Sequence, residues 1–341
     1  MRKRLIAALL AAVLLLTGCS ATGQNKVNRY NASFLNIFDT VTTIVGYAET
    51  EDEFKKTAED VRDKLLVYHQ LFDIYNDYAG IANLKTINDN AGVAPVKVDQ
   101  KIIDLLVFCR DMSAASDGAV NIAMGSVLSL WHDAREAGID DPDNAVLPDK
   151  AALAEAATHT SFDTVIIDEA ASTVYISDAA QKLDVGAVAK GWAVERVCED
   201  SPAGLLLSVG GNVKATGPKA DGTDWVAGIQ NPDDANAYLN TVYVRDVSVV
   251  TSGDYQRYYT VDGVRYHHII DQSTLFPASY WRSVTILCKD SGLADALSTA
   301  LFTLPQDKGQ ALLDKFDAEA LWMDLSGQLI YSPGFKDYIK N

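Results

Sequence analysis

The chain is short of cysteine, of basic residues and of long apolar runs, and each shortage removes a class of function. Only four cysteines occur in 341 residues. Cys109, Cys198 and Cys288 stand far apart, so they form no disulfide framework and are expected to be small buried hydrophobes. Lys and Arg number 29 against 46 Asp and Glu, a formal net charge of −17. Such a surface repels nucleic acid and anionic lipid, which excludes both as partners. A phosphate-bearing ligand of so acidic a chain needs a metal to mediate. No apolar run after Leu16 approaches the roughly 20 residues a transmembrane helix requires. No internal repeat recurs, which excludes solenoids. A Walker loop and a GxGxxG fingerprint are both missing.

What is present begins at the N-terminus. Met1-Arg2-Lys3-Arg4 is a basic segment, residues 5–16 are apolar, and Leu16-Thr17-Gly18-Cys19-Ser20 follows. That is the layout of a secretory leader with a small-residue cleavage site. The Leu-Thr-Gly-Cys run resembles the bacterial lipobox, which implies cleavage before Cys19, lipid on its sulfur and an extracytoplasmic protein anchored to a bacterial membrane. Loss of Arg2, Lys3 and Arg4 would take the charge from −17 to −20. Residues 1–18 are read as the lipoprotein signal, 19–33 as the lipid-anchored tether and 34–341 as the folded domain.

Strand-like patterns cover residues 38–47, 164–168, 173–176, 205–209, 225–229, 241–250, 263–270 and 284–287. Helical periodicity covers residues 51–75, 98–115, 147–158, 186–198 and 293–304. Together they predict an α+β fold in which mixed or antiparallel sheets are covered by helices, with a sheet-rich second half.

Four stretches carry candidate chemistry. In Lys182-Leu183-Asp184-Val185-Gly186-Ala187-Val188-Ala189-Lys190-Gly191 a strand end gives way to small residues and then a helix. Free backbone N–H groups and the Lys190 charge suit a phosphate there, although tight helix packing explains the small residues equally well. Val209-Gly210-Gly211-Asn212 ends an apolar strand, and a plain turn accounts for it. Thr251-Ser252-Gly253-Asp254-Tyr255, with His267, His268 and Asp271 nearby, forms a plausible acid/base cluster; alternation sends the two imidazoles to opposite faces. In the Ala-rich helix Leu293–Phe302, Asp295 and Thr299 lie on one face. A carboxylate beside a hydroxyl is hard-oxygen chemistry suited to Mg²⁺, while Asp295 could equally be a charge favoured near a helix N-terminus.

Taken together and in this order, Leu183–Gly191, Thr251–Tyr255, His268-Ile269-Ile270-Asp271 and Leu293–Ala300 resemble the FAD:protein FMN transferase family, the ApbE flavin-trafficking lipoproteins. The resemblance implies a two-lobed fold binding FAD as substrate, with Mg²⁺ between protein and pyrophosphate. It implies metal ligands Asp295, Thr299 and the Ala187 carbonyl, with Ser298 close by, and His268 as general base. Asp184, Lys190, Thr251, Ser252 and Gly253 would contact the cofactor. Phe38, Thr40, Phe72, Asp73, Ile74, Tyr75 and Asn121 would contact it from the N-terminal half. The implied reaction moves FMN to a threonine hydroxyl of an extracytoplasmic flavoprotein and releases AMP. A pyrophosphatase yielding FMN and AMP, or a non-catalytic FAD-binding lipoprotein, are the alternatives. The chain departs from the family at Asp39 and Leu275, where Gly is common, at Gln272, where Pro is common, and at Val120-Asn121-Ile122-Ala123, where Phe-Asp-x-Thr is usual.

Overall fold

The computed structural model describes residues 27–340; the leader and Cys19 lie outside them. Eight helices are present among these residues: α1 Glu51–Phe72, α2 Leu84–Asp89, α3 Gln100–Ala115, α4 Gly125–Asp140, α5 Lys150–Ala157, α6 Ala189–Glu199, α7 Ser291–Phe302 and α8 Gln306–Leu313. Every strand pairing described is antiparallel, and the largest sheet has eight strands. Their order is Asn28–Ile37, Thr40–Ala48, Leu206–Val209, Asn212–Ala215, Ser248–Gly253, Trp281–Cys288, Ala318–Asp324 and Leu329–Tyr331.

Side-chain alternation sends neighbouring residues of this sheet into two different cores. Val250, Ile286 and Trp322 join the large cluster beneath the helices. Val249, Leu287 and Leu321 pack on the other face against Trp225, Ile229, Val242 and Val244 of a two-stranded sheet. A separate, smaller cluster of Met124, Val127, Trp131, Leu153, Tyr259 and Ile270 holds α4 and α5 to the hairpin of Tyr258–Val261 and Val264–His267. This third cluster is the smallest of the three.

Local sequence explains the elements that frame the cleft. Helix α1 starts at Thr50, whose side chain accepts from Glu53 N while Glu53 reaches back, a capping box with acids in the first turn. Phe54, Ala58, Val61, Leu65, Tyr68 and Phe72 then recur at helical spacing and are buried. The helix ends where Asp73 turns extended. The expected helix over 51–75 is therefore three residues shorter, and Asp73, Ile74 and Tyr75 form a loop. Two further expectations change. The edge strand begins at Asn28, so residues 28–33 are sheet and not tether. The single strand expected over 241–250 is two, ending at Val244 in the small sheet and restarting at Ser248 in the large one.

Helices α6 and α7 cross at Gly191. A Cβ there would lie 2.2 Å from Ser291 O and 2.5 Å from Asp295 Cβ, closer than packed atoms approach. Two buried contacts lock α7 at this crossing: Glu195 Oε2 accepts the Ser291 N–H at 2.5 Å and pairs with Lys214 Nζ at 2.9 Å. Gly191→Val should force the helices apart and lower stability by about 1–3 kcal/mol, read as a reduced denaturant midpoint. A midpoint equal to wild type would mean that the helices do not touch at this position.

Candidate active site

The crossing of α6 and α7 builds the first part of the site. Asp295 is 4 % exposed, and its Oδ2 accepts the Gly191 backbone N–H at 2.8 Å. The Lys190 ammonium stands 3.6 Å from the same oxygen and 3.4 Å from Gly186 O. Gly191 is the third residue of α6, where a helix leaves its backbone N–H without an intrahelical partner, and the Asp295 carboxylate supplies one. Ser298 Oγ donates to Asp295 O at 2.9 Å, so it accepts from Ser252 Oγ at 2.8 Å. Ser252 thus ties the sheet to α7. Thr251 faces the other side, where its hydroxyl is 2.8 Å from that of its cross-strand partner Thr285. Gly253 continues the strand with Ser283 opposite. Thr299 follows Asp295 by one turn and is half-buried.

The loop before α6 is fixed from three directions. Asn88 forms a two-way clamp on Leu183, donating to its O at 2.9 Å and accepting its N–H at 2.7 Å. Ser126 Oγ accepts the Lys182 N–H at 3.1 Å, and Asp184 N donates to Ile122 O at 2.8 Å. Asp184 accepts the Gly186 N–H at 2.8 Å. Burial pushes this carboxyl up, against the pull of that bond and of the neighbouring His132, Arg257 and Arg135.

The N-terminal half contributes a turn and a loop. Phe38 and Asp39 adopt φ 52 and φ 53, and the Phe38 N–H donates to His69 Nδ1 at 3.2 Å. That bond makes Nδ1 the acceptor, so Nε2–H points to the Tyr78 hydroxyl at 3.3 Å, which donates to Asp73 Oδ2 at 2.7 Å. Asp73 also accepts from Tyr75 N, Asn76 N and Asn76 Nδ2. Burial alone would raise its pKa, but these donors hold it below the usual carboxylate range. The backbone of Gly210, at φ 55, comes so close to Thr40 that a Cβ would meet Thr40 Cγ2 at 2.8 Å.

Several expected contacts serve the protein itself. Phe72 is 4 % exposed, within the core. The Asp73 carboxylate is taken up by its own loop, and Ile74 packs against the core. Asn121 caps a 3-10 turn through Ala123 N and donates to Thr160 O. Tyr75, by contrast, is 51 % exposed.

The two imidazoles separate as alternation required. His267 Nε2–H donates to Ala278 O at 2.9 Å while Nδ1 accepts the Ile269 N–H, and the ring meets Phe302 edge-on at 5.5 Å. It is a core residue. His268 lies on the other side, with Nδ1 3.2 Å from Arg257 O. A carbonyl only accepts, so Nδ1 carries the hydrogen and Nε2 keeps its lone pair. Burial, reinforced by the Arg257 guanidinium, pushes His268 down to about 3. Its ring is therefore neutral near pH 7. His69, Tyr78, His132, Arg135 and Arg257 were not singled out from the sequence. Only His69 lies in a helix that the sequence predicts; His132 and Arg135 lie in α4 and Tyr78 and Arg257 in loops, and only tertiary contact distinguishes them.

Among the described residues no three His, Cys, Asp or Glu side chains converge on one point. The oxygens available here are the Asp295 carboxylate and the Ser298 and Thr299 hydroxyls of α7, with the backbone carbonyl of Ala187 just before the N-cap of α6. That set fits a hard cation that fills its remaining positions with water and ligand phosphate oxygens.

A model of the ApbE family matches residues 38–322. The chain is 34% identical to the FAD:protein FMN transferase of Treponema pallidum (strain Nichols), over 94% of this chain and 91% of that one. It is 32% identical to an FAD:protein FMN transferase of Klebsiella pneumoniae (strain 342), over 77% and 83%. The crystal structure of the ApbE protein of Thermotoga maritima matches with a TM-score of 0.81 at 29% identity, covering 92% of this chain and 100% of that one. The flavin transferase ApbE of Vibrio cholerae matches at 0.76 and 22% identity, covering 92% and 100%, a likeness of fold.

Both imidazoles have folded-state pKa values below the unfolded value of about 6.5. As pH falls below about 6.5 the unfolded chain gains protons that the folded chain refuses, so stability drops toward the folded value of His268, about 3. His268→Gln should flatten that loss across the window, measured as urea midpoints against pH. A variant as acid-sensitive as wild type would show that the ring is not shielded.

Proposed function

The chain belongs to the ApbE family, and from that premise we propose that it is an FAD:protein FMN transferase that is Mg²⁺-dependent, lipid-anchored and extracytoplasmic. The observation that carries the reading is Asp295, buried and oriented by the Gly191 N–H with the Lys190 ammonium 3.6 Å away. Asp295, Thr299 and the Ala187 carbonyl would hold the metal, with Ser298 bracing the helix turn between the first two. When bound, Mg²⁺ supplies charge neutralisation on the bridging phosphates. Lys190 adds a positive charge at the same point, and the loop around Asp184 is held rigid to receive the dinucleotide.

In the transfer, a threonine hydroxyl of the acceptor attacks the phosphorus of the FMN half. The new P–O bond forms as the bond to the AMP phosphate breaks, and AMP leaves with the electron pair. The proton passes to His268 Nε2, the nitrogen left free by the Nδ1–H contact with Arg257 O. The pKa of about 3 comes first from burial and then from the Arg257 guanidinium. An anionic pyrophosphate brought near offsets Arg257 and raises it toward a useful base strength. The anchor rests on the basic segment, apolar run and Leu-Thr-Gly-Cys motif ending at Cys19.

The test is to incubate the chain with FAD, Mg²⁺ and a candidate acceptor domain and to follow AMP release and acceptor mass. AMP with a flavin adduct is the expected result. AMP with free FMN would make the chain a pyrophosphatase, and bound intact FAD would make it a carrier. Asp295→Ala should cut AMP release by roughly 10²-fold or more with the circular dichroism spectrum unchanged. Full turnover in that variant would refute the metal assignment.

A further inference from the structure

The exposed Tyr75 has a support that no part of the site described so far uses. Its ring lies over the imidazole of His132 on α4, with centroids 4.8 Å apart and planes 26° from parallel. One face is therefore covered, while Tyr75 remains 51 % exposed. The imidazole is itself held: Arg135 Nη2 lies 2.9 Å from His132 Nδ1. Guanidinium cannot accept, so Nδ1 carries the lone pair and the ring is the neutral Nε2–H form. The Tyr75 hydroxyl sits 3.4 Å from the same nitrogen. Beneath, α4 is anchored by Trp131 Nε1–H donating to Leu275 O at 2.9 Å. The Tyr75 backbone is pinned by its N–H to Asp73 Oδ1 at 2.6 Å. Arg257, whose carbonyl lies 3.2 Å from His268 Nδ1, is among the charges around the Tyr75 phenol, with Asp184 and Arg135.

We infer that His132 and Arg135 are positioning residues that set the plane of Tyr75, so that its outer face stacks on an aromatic ring of the bound dinucleotide. The inference rests on the flavin reading above. Both sides of that stack are flat rings, and either adenine or isoalloxazine has the required chemistry. Arg135 fixes the imidazole, the imidazole fixes the phenol, and the ligand then meets a surface that loses little freedom on binding.

The test measures binding of FAD, FMN and ADP to the full chain in EDTA, and KM and kcat for AMP release with Mg²⁺. His132→Ala should weaken FAD binding and raise its KM roughly 3- to 10-fold, with kcat within about twofold of wild type. His132→Phe keeps a ring beneath Tyr75 and should recover most of the affinity. Arg135→Met, which frees the imidazole, should fall between them. Weakened FMN binding identifies isoalloxazine as the stacked ring, and weakened ADP binding identifies adenine. Wild-type FAD affinity in both His132→Ala and Arg135→Met, or a His132→Phe variant as weak as His132→Ala, would overturn the role while leaving the flavin reading intact. A wild-type chain that binds no FAD would overturn both.

Discussion

One hydrogen bond, from the backbone of Gly191 to the carboxylate of Asp295 over 2.8 Å, joins the packing of the protein to its chemistry. It exists because residue 191 has no side chain: any Cβ would strike Ser291 O. The bare backbone lets α6 touch α7, satisfies one oxygen of a buried acid and gives a partner to an N–H that the first turn of α6 leaves open. A buried carboxylate without such a donor would be expelled or protonated. Here it stays in the core with Lys190 opposite.

The rest of the cleft is held by backbone hydrogen bonds more than by side-chain packing. Asn88, Ser126 and Ile122 grip the loop that carries Asp184, and Asp73 organises the loop that carries Tyr75. Through Tyr78 and His69 that second network reaches the turn at Phe38. Some strain is tolerated there. Asp39 and Leu275 sit at φ 53 and φ 62, a conformation that costs non-glycine residues about 1–2 kcal/mol. Leu275 offsets the cost by packing its side chain on the Trp131 cluster and giving its carbonyl to the Trp131 indole.

Much of the fold was legible because amphipathic periods are local. The strand at 173–176 and the helices near 98–115 and 293–304 were read within two or three residues of their observed limits. Helix α4 was not read, although Val127 and Trp131 are buried one turn apart: its apolar residues are interrupted by Ser129, His132 and Asp133, and its partner hairpin lies more than a hundred residues on. The break between Val244 and Ser248 was hidden because both strands are rich in valine. Which sheet each joins depends on its partners.

The sequence by itself determined the acidic composition, the α+β pattern and the family, and it nominated the candidate residues, because composition, periodicity and ordered motifs are properties of short segments. It could not rank those residues. Phe72, Asn121 and Asp73 look as available as Tyr75 in a one-dimensional reading, yet the first is core and the others hold loops together. Only the tertiary structure decided that His268 and not His267 is free to act, that Ser252 and not Thr251 reaches α7, and that His132 lies under Tyr75. Each of those distinctions is set by which element packs against which face, and that is fixed by contacts between residues remote in the chain.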